Sequence, residues 1–367
     1  MRMPAPAFAL ASLLGAALTA PAELRDWGVE RASYLDPVTG IRIHEQTGRN
    51  SRADNLYFHV SNFTADNRHL LFVSDRTGSW QLYKAEVASG RITQLTDDPR
   101  VNPRSTCPHP GDPARAFVLR GPTVLDLDLT SGSTREIGTI PEPRIGGYQQ
   151  PTLSHDGDWL TTTKQVNDAE WEIGLMHIAT GEYRTVTRQG FRIGHVQHCP
   201  TAPLIFYVWE TGGYAPQRTW LVQPDGSRNR PFYASTTPTN WITPLKEWVT
   251  HEAWVPTGTH MTMILDKVGV LLVAPDGTWR LVREGHYWHA AASPDGRQLV
   301  LDDMQGRLWL CDVATGNVRL LATGVRGVER VHAHPSFDRN GDFIQFHTAR
   351  THETVALIHL RDVPPVD

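Results

Sequence analysis

Residues Phe63 to Thr96 read FTADNRHLLFVSDRTGSWQLYKAEVASGRITQLT. A turn phrase leads into an apolar run, a second turn leads into another, and a tight Ser89-Gly90 turn precedes a last short run. Short runs rich in apolar and β-branched residues, punctuated by Gly, Asn, Asp and Ser, are strand and hairpin signals. The stretch therefore predicts consecutive antiparallel strands. Similar phrases recur about every 40 to 50 residues, a spacing typical of propeller blades. They are LDLDLTSGSTREI ending near Ile137, SHDGDWLTTT with LMHIATGEYRTVT ending near Thr187, and a run from Pro203 through VQPDGSRNRPF. Three more follow: VPTGTHMTMIL with LLVAPDGTWRLV, SPDGRQLVLDD with LWLCDVATGNVRLLA, and SFDRNGDFIQFHTAR with TVALIHL. That makes seven units.

The seventh unit stops at Leu360 without the turn and strand that end the others. The stretch ASYLDPVTGIRIHEQT, Ala32 to Thr47, has that missing form. An N-terminal strand is thus expected to complete the last blade, closing the ring and hiding the edges an open array would expose. The fold expected is an all-β seven-bladed β-propeller, with residues 23–367 as one domain because no Pro/Gly/Ser-rich linker divides them.

Composition narrows the function. The 367 residues carry a net charge of −4 and 20% charged residues, which argues against nucleic acid as a partner and against a polybasic membrane surface. Any anionic substrate must be met by local charge. The first 22 residues differ from the rest: Arg2, an apolar run from Phe8 to Leu18, and Ala20-Pro21-Ala22 read as a signal peptide cleaved near Ala22. That implies a periplasmic or secreted protein. No later stretch approaches about 18 uninterrupted apolar residues, so stable membrane insertion is not expected. Cys107, Cys199 and Cys311 lack C-x-x-C spacing and indicate neither a disulfide framework nor a zinc site. Nothing in these residues sets an oligomeric state.

Histidines recur at one phase of the repeat. His195 (RIGHVQH), His251 (VTHEAWVP), His289 (HYWHAAASPDG), and His332 with His334 (ERVHAHPSF) each stand shortly before a turn phrase. Innermost strands line a propeller's channel, so four blades aim imidazoles at one mouth. Burying that many imidazoles costs free energy unless a ligand or network satisfies them. In ERVHAHPSF, strand alternation would project His332 and His334 to one face, and Glu329 adds a carboxylate. One carboxylate and two imidazoles suit a borderline divalent cation; two satisfied surface histidines are the alternative. Alternation would also turn Trp288 away from its neighbour His289.

The phrases THEAWVP, GHVQH, the His289 segment ending in SPDG, and HAHPSF resemble those of the oligogalacturonate lyase family, manganese-binding seven-bladed propellers. The resemblance implies a metal set of His289, His332 and His334, with Glu329 where the family has glutamine. It further implies His251 as catalytic base, Arg218 as a charge-bearing catalytic and substrate-binding residue, and His195 as a substrate contact. The cofactor implied is a divalent metal, Mn²⁺, and the partner an anionic oligosaccharide. The reaction implied is β-elimination on a uronate, leaving a 4,5-unsaturated product. The alternative from another class is a non-catalytic TolB-like periplasmic propeller, which shares the SPDG-type turns but has no evident use for the in-phase histidines.

Overall fold

The computed structural model describes residues 24–143, 150–211, 215–234, 248–327 and 330–366. These form seven antiparallel sheets, and Leu360–Asp362 is a single 3-10 turn. Blade one is built on His69–Ser74, Gln81–Glu86 and Arg91–Gln94, inside which lies the short strand Ala53–Asp54. Blades two to six begin at Val101, Trp159, Ile193, Val249 and Tyr287. Blade seven contains Ser336–Phe337, Phe343–Thr348 and Thr354–His359, and its outer edge is Arg42–Glu45 followed by Ala32–Leu35.

The expected closure is therefore present: Arg42–Glu45 pairs with Thr354–His359 through Ala356↔Glu45 and Leu357↔His44. One feature goes beyond the expectation. Asp26–Val29 pairs with Arg91–Gln94, so the N-terminal segment straps blade one as well as blade seven. Between the two attachments, Arg31 donates to Gln46 Oε1 (2.8 Å) and to the carbonyls of Val87 (2.9 Å) and Glu86 (3.3 Å).

The repeating turn has a local chemical cause. In T-A-D-N, S-H-D-G and S-P-D-G, the first hydroxyl donates to the aspartate two residues on: Thr64 to Asp66 at 2.7 Å, Ser154 to Asp156, Ser293 to Asp295 at 2.7 Å. The same carboxylate accepts the backbone N–H of Arg68, Asp158 or Arg297. The next position takes positive φ, +82° at Gly157 and +73° at Gly296, which glycine adopts without steric cost.

Seven apolar clusters hold the ring. Each straddles two neighbouring blades, including the last junction, where Val355 and Leu357 meet Phe63, Phe72 and Tyr83. A fully buried Leu or Phe contributes about 1.5–3 kcal/mol, so the blades are fixed against one another and the channel mouth is a rigid frame. The segment between Asp54 and Phe63 leaves the sheet and crosses this channel. Asn62 pins it by accepting from the Leu56 N–H (2.7 Å) and donating to the carbonyls of Tyr57 (2.9 Å) and Val60 (3.0 Å).

Candidate active site

Three of the site histidines stand on innermost strands at bulges. On Ile193–His198 the register slips between Gly194 and Gln197, so His195 and Val196 together oppose Tyr207. On Val249–Trp254 it slips between Thr250 and Ala253, where His251 and Glu252 oppose Met263. On Tyr287–Ala292 it slips between Tyr287 and His289. A bulge re-aims a side chain that regular pleating would send elsewhere. His195 and His251 take φ of +47° and +52°, a region sparsely used by non-glycine residues and concentrated at functional sites.

The third bulge corrects one expectation. Trp288 is the extra residue there, and it faces the site: its Nε1 donates to His332 Nδ1 (3.3 Å), and its ring lies 4.6 Å from that of His251. A second correction concerns His332 and His334. They lie in irregular backbone before Ser336–Phe337 and not on a strand, with His334 at φ +43°. They converge because that backbone is gripped. Asn55 Nδ2 and Gln345 Nε2 donate to the His334 carbonyl at 3.0 and 3.1 Å.

The ligand atoms of His289, His332 and His334 lie within 4.8 Å of one another. His289 is fully buried; its Nδ1 is 3.0 Å from each Asp302 oxygen, and its Nε2 has no hydrogen-bond partner. A carboxylate on one imidazole nitrogen, leaving the other aimed into a cluster, is how metal-ligating histidines are oriented. Burial lowers the basicity of all three, with neighbouring positive groups adding to it, and ligation requires the neutral imidazole. The residues present fit a divalent cation. Glu329 lies outside the described residues.

His251 packs against His289 with ring centroids 4.1 Å apart, and its Nδ1 is buried without a partner. Burial and the adjacent imidazoles hold its pKa well below the usual histidine value. His195 is reached differently. Its Nδ1 is 2.8 Å from Glu252 Oε2, and Glu252 Oε1 accepts from Arg218 Nε at 2.7 Å. Arg218, 5% exposed, also has Glu210 at 3.7 Å, so its guanidinium is committed to two carboxylates. Burial works to raise the Glu252 carboxyl, but Arg218 and His195 outweigh it and hold it far below the carboxylate range.

Several site residues escaped the sequence reading. Tyr57 and Phe58 of the channel-crossing segment floor the triad, with ring centroids 4.5 Å from His334 and 5.1 Å from His289. Asp302 could have been found by counting back from the Ser293–Gly296 turn, since the register pairs His289 with Asp302. Glu252 was adjacent to His251 in the chain. Of the residues left without a role, His347 Nδ1 meets Asp54 at 3.0 Å, and Asp54 pairs with Arg104 at 2.6 Å. Among the tryptophans, Trp171 is core and Trp209 stacks on Phe191, while Trp241 lies outside the described residues.

No family model matches the chain. It is 23% identical over 252 residues to the oligogalacturonate lyase of Dickeya dadantii, covering 63% of each chain. A solved oligogalacturonate lyase from Vibrio parahaemolyticus superposes with a TM-score of 0.82 at 20% identity, covering 92% of this chain and 99% of that one. An oligogalacturonate lyase solved in complex with manganese gives 0.80 at 19% identity, covering 92% and 98%. This chain is therefore a distant relative of the oligogalacturonate lyases in sequence and shares their seven-bladed propeller fold.

Proposed function

We propose that the protein is a polysaccharide lyase that cleaves short oligogalacturonate-type chains by metal-assisted β-elimination. The observation that carries this reading is the channel-mouth cluster itself. An unpartnered, buried Nε2 of His289 meets two further imidazoles, with His251 against the same ring. Buried polar atoms without partners are exceptional in native proteins. A docking ring of the TolB type supplies no reason for them. The fold shared with oligogalacturonate lyases, one of them solved with manganese, supports the same substrate class and metal.

The chemistry sets what each residue must do. The C5 proton of a uronate is a weak acid, and negative charge develops on the neighbouring carboxylate as it leaves. His289, His332, His334 and Glu329 would hold a divalent cation, Mn²⁺ in our reading, which would supply Lewis-acid charge for that carboxylate. His251, neutral in its buried position, accepts the C5 proton. The C5–H electron pair becomes the C4=C5 double bond as the C4–O4 bond breaks, and the departing O4 takes a proton from water. His195 contacts the sugar with its orientation set by Glu252 and Arg218. Arg218, held by Glu252 and Glu210, serves this wall by fixing Glu252 and through it His195, and its charge is already met before substrate binds. The leader-like first 22 residues support action in the periplasm or outside the cell.

The test is ultraviolet absorbance of the conjugated product. Purified protein loaded with Mn²⁺ should generate it from galacturonate oligomers and lose the activity with chelator. Metal-loaded protein that yields no such absorbance on any uronate oligomer ends the lyase reading.

A further inference from the structure

The link from blade six to blade seven carries His332 and His334, and six residues before His332 it carries Arg326. Arg326 lines a groove of about 920 Å³. The groove walls come from Gln305 and Gly306, from the turn Ala349–Glu353, and from residues 49–52 entering blade one. Ligand sites generally occupy about 300–1,000 Å³. Its charge is lopsided. Arg49, Arg52, Arg326 and Arg350 face Asp75 and Glu353. Arg52 is paired with Asp75 (2.8 Å) and Arg350 with Asp36 (2.9 Å). Arg326 is not neutralised in this way: among the described residues no carboxylate lies within ion-pairing distance, and its contacts are the carbonyls of Met304 (3.3 Å) and Arg330 (3.5 Å). Its Nε is buried without a partner. Its carbonyl accepts from the N–H of Val331, the residue before His332, at 3.1 Å.

An unneutralised arginine that lines a groove, on the link that carries two of the three imidazoles suited to one uronate carboxylate, is placed to meet the carboxylate of the next. Arg49, exposed, lines the same groove and adds to its positive charge. We propose that this groove between blades six, seven and one binds the uronate units beyond the one held at the histidine triad, with Arg326 as the first carboxylate contact. The inference rests on the uronate reading above and adds that the substrate is longer than the two units spanning the broken bond.

The experiment titrates full-length, manganese-loaded protein carrying His251→Ala with galacturonate dimer, trimer and tetramer by calorimetry. Affinity is expected to rise at least about tenfold from dimer to tetramer, as one added charge-assisted contact implies. Arg326→Gln should bring the tetramer-to-dimer ratio close to one, with Arg326→Lys keeping part of it. Arg49→Gln, at an exposed position, should weaken the tetramer alone. An affinity independent of length, or a ratio unchanged by Arg326→Gln, overturns the groove. The lyase reading fails separately. Length-dependent binding without product absorbance from the unsubstituted protein leaves the groove standing and removes the reaction, and elimination with length-independent binding does the reverse.

Discussion

Two carboxylate–imidazole pairs, each with its carboxylate buried, line the same channel mouth, and they are in opposite electrostatic states. At His289, Asp302 has no cationic side chain bonded to it, and burial pushes its carboxyl up to about 7. At His195, Glu252 is bonded to the Arg218 guanidinium and stays ionised far below that. The geometry is alike, with nitrogen–oxygen distances of 3.0 and 2.8 Å, so geometry is not what separates them. The difference is that one pair already holds its cation and the other faces an imidazole cluster with a free ligand atom. A metal at the triad would complete the first pair as Arg218 completes the second.

The comparison breaks most visibly in the triad and its neighbour. His289→Ala and His334→Ala should each abolish both manganese content and turnover. His251→Ala should retain manganese and lose about 10²–10⁴ in kcat. Metal analysis beside the kinetic assay separates the two, and loss of metal in the His251 variant would move that residue into the ligand set. Next in size is the pair that already has its cation. Removing Glu252 by substitution to Ala leaves Arg218 buried without its closest partner, and such breaks cost about 3–5 kcal/mol. A denaturant titration showing under about 1 kcal/mol lost would mean that Glu210 alone neutralises Arg218.

Smaller is the effect at the incomplete pair. Asp302→Asn should lower metal affinity about 10–100-fold, the usual loss when a ligand's supporting carboxylate is changed. Stability in the absence of metal should not fall. The subtlest difference is in pH dependence, and the signs are opposite. The folded pKa of Asp302 lies above its ordinary 3.8, so it favours the metal-free fold least at high pH, and its contribution declines from about pH 4 to about pH 7. Glu252 lies below its ordinary 4.5, so its contribution is full above that value and is lost only as pH falls toward its depressed pKa. The stability difference between Asp302→Asn and the parent should therefore grow between pH 5 and pH 8 without metal, and shrink when manganese is added. A flat difference across that range would show that Asp302 is ionised without the metal.

The propeller was legible because blade turns are local chemistry. A Ser or Thr two residues before an Asp, ahead of a position with positive φ, writes its own hydrogen bonds in three of the units, and seven units of strand and turn leave one answer for the missing strand. The recurrence of histidine at one phase was legible for the same reason. What misled was the assumption of regular pleating. Trp288 was expected to point away from His289, yet a bulge between Tyr287 and His289 turns it onto His332. The channel-crossing segment with Tyr57 and Phe58 carries no periodic signal, since its conformation is held by Asn62 and by contacts with distant blades.

The sequence by itself determined a closed ring of seven β-blades and the set of imidazoles pointing toward one of its mouths, because strand period, turn chemistry and repeat phase are all short-range properties. Only the tertiary structure decided which imidazoles share a cluster, which carboxylate stands behind each, and whether Arg218 is open or committed. Those depend on bulges, on positive-φ backbone gripped by Asn55 and Gln345, and on burial, and each is set by residues far apart in the chain.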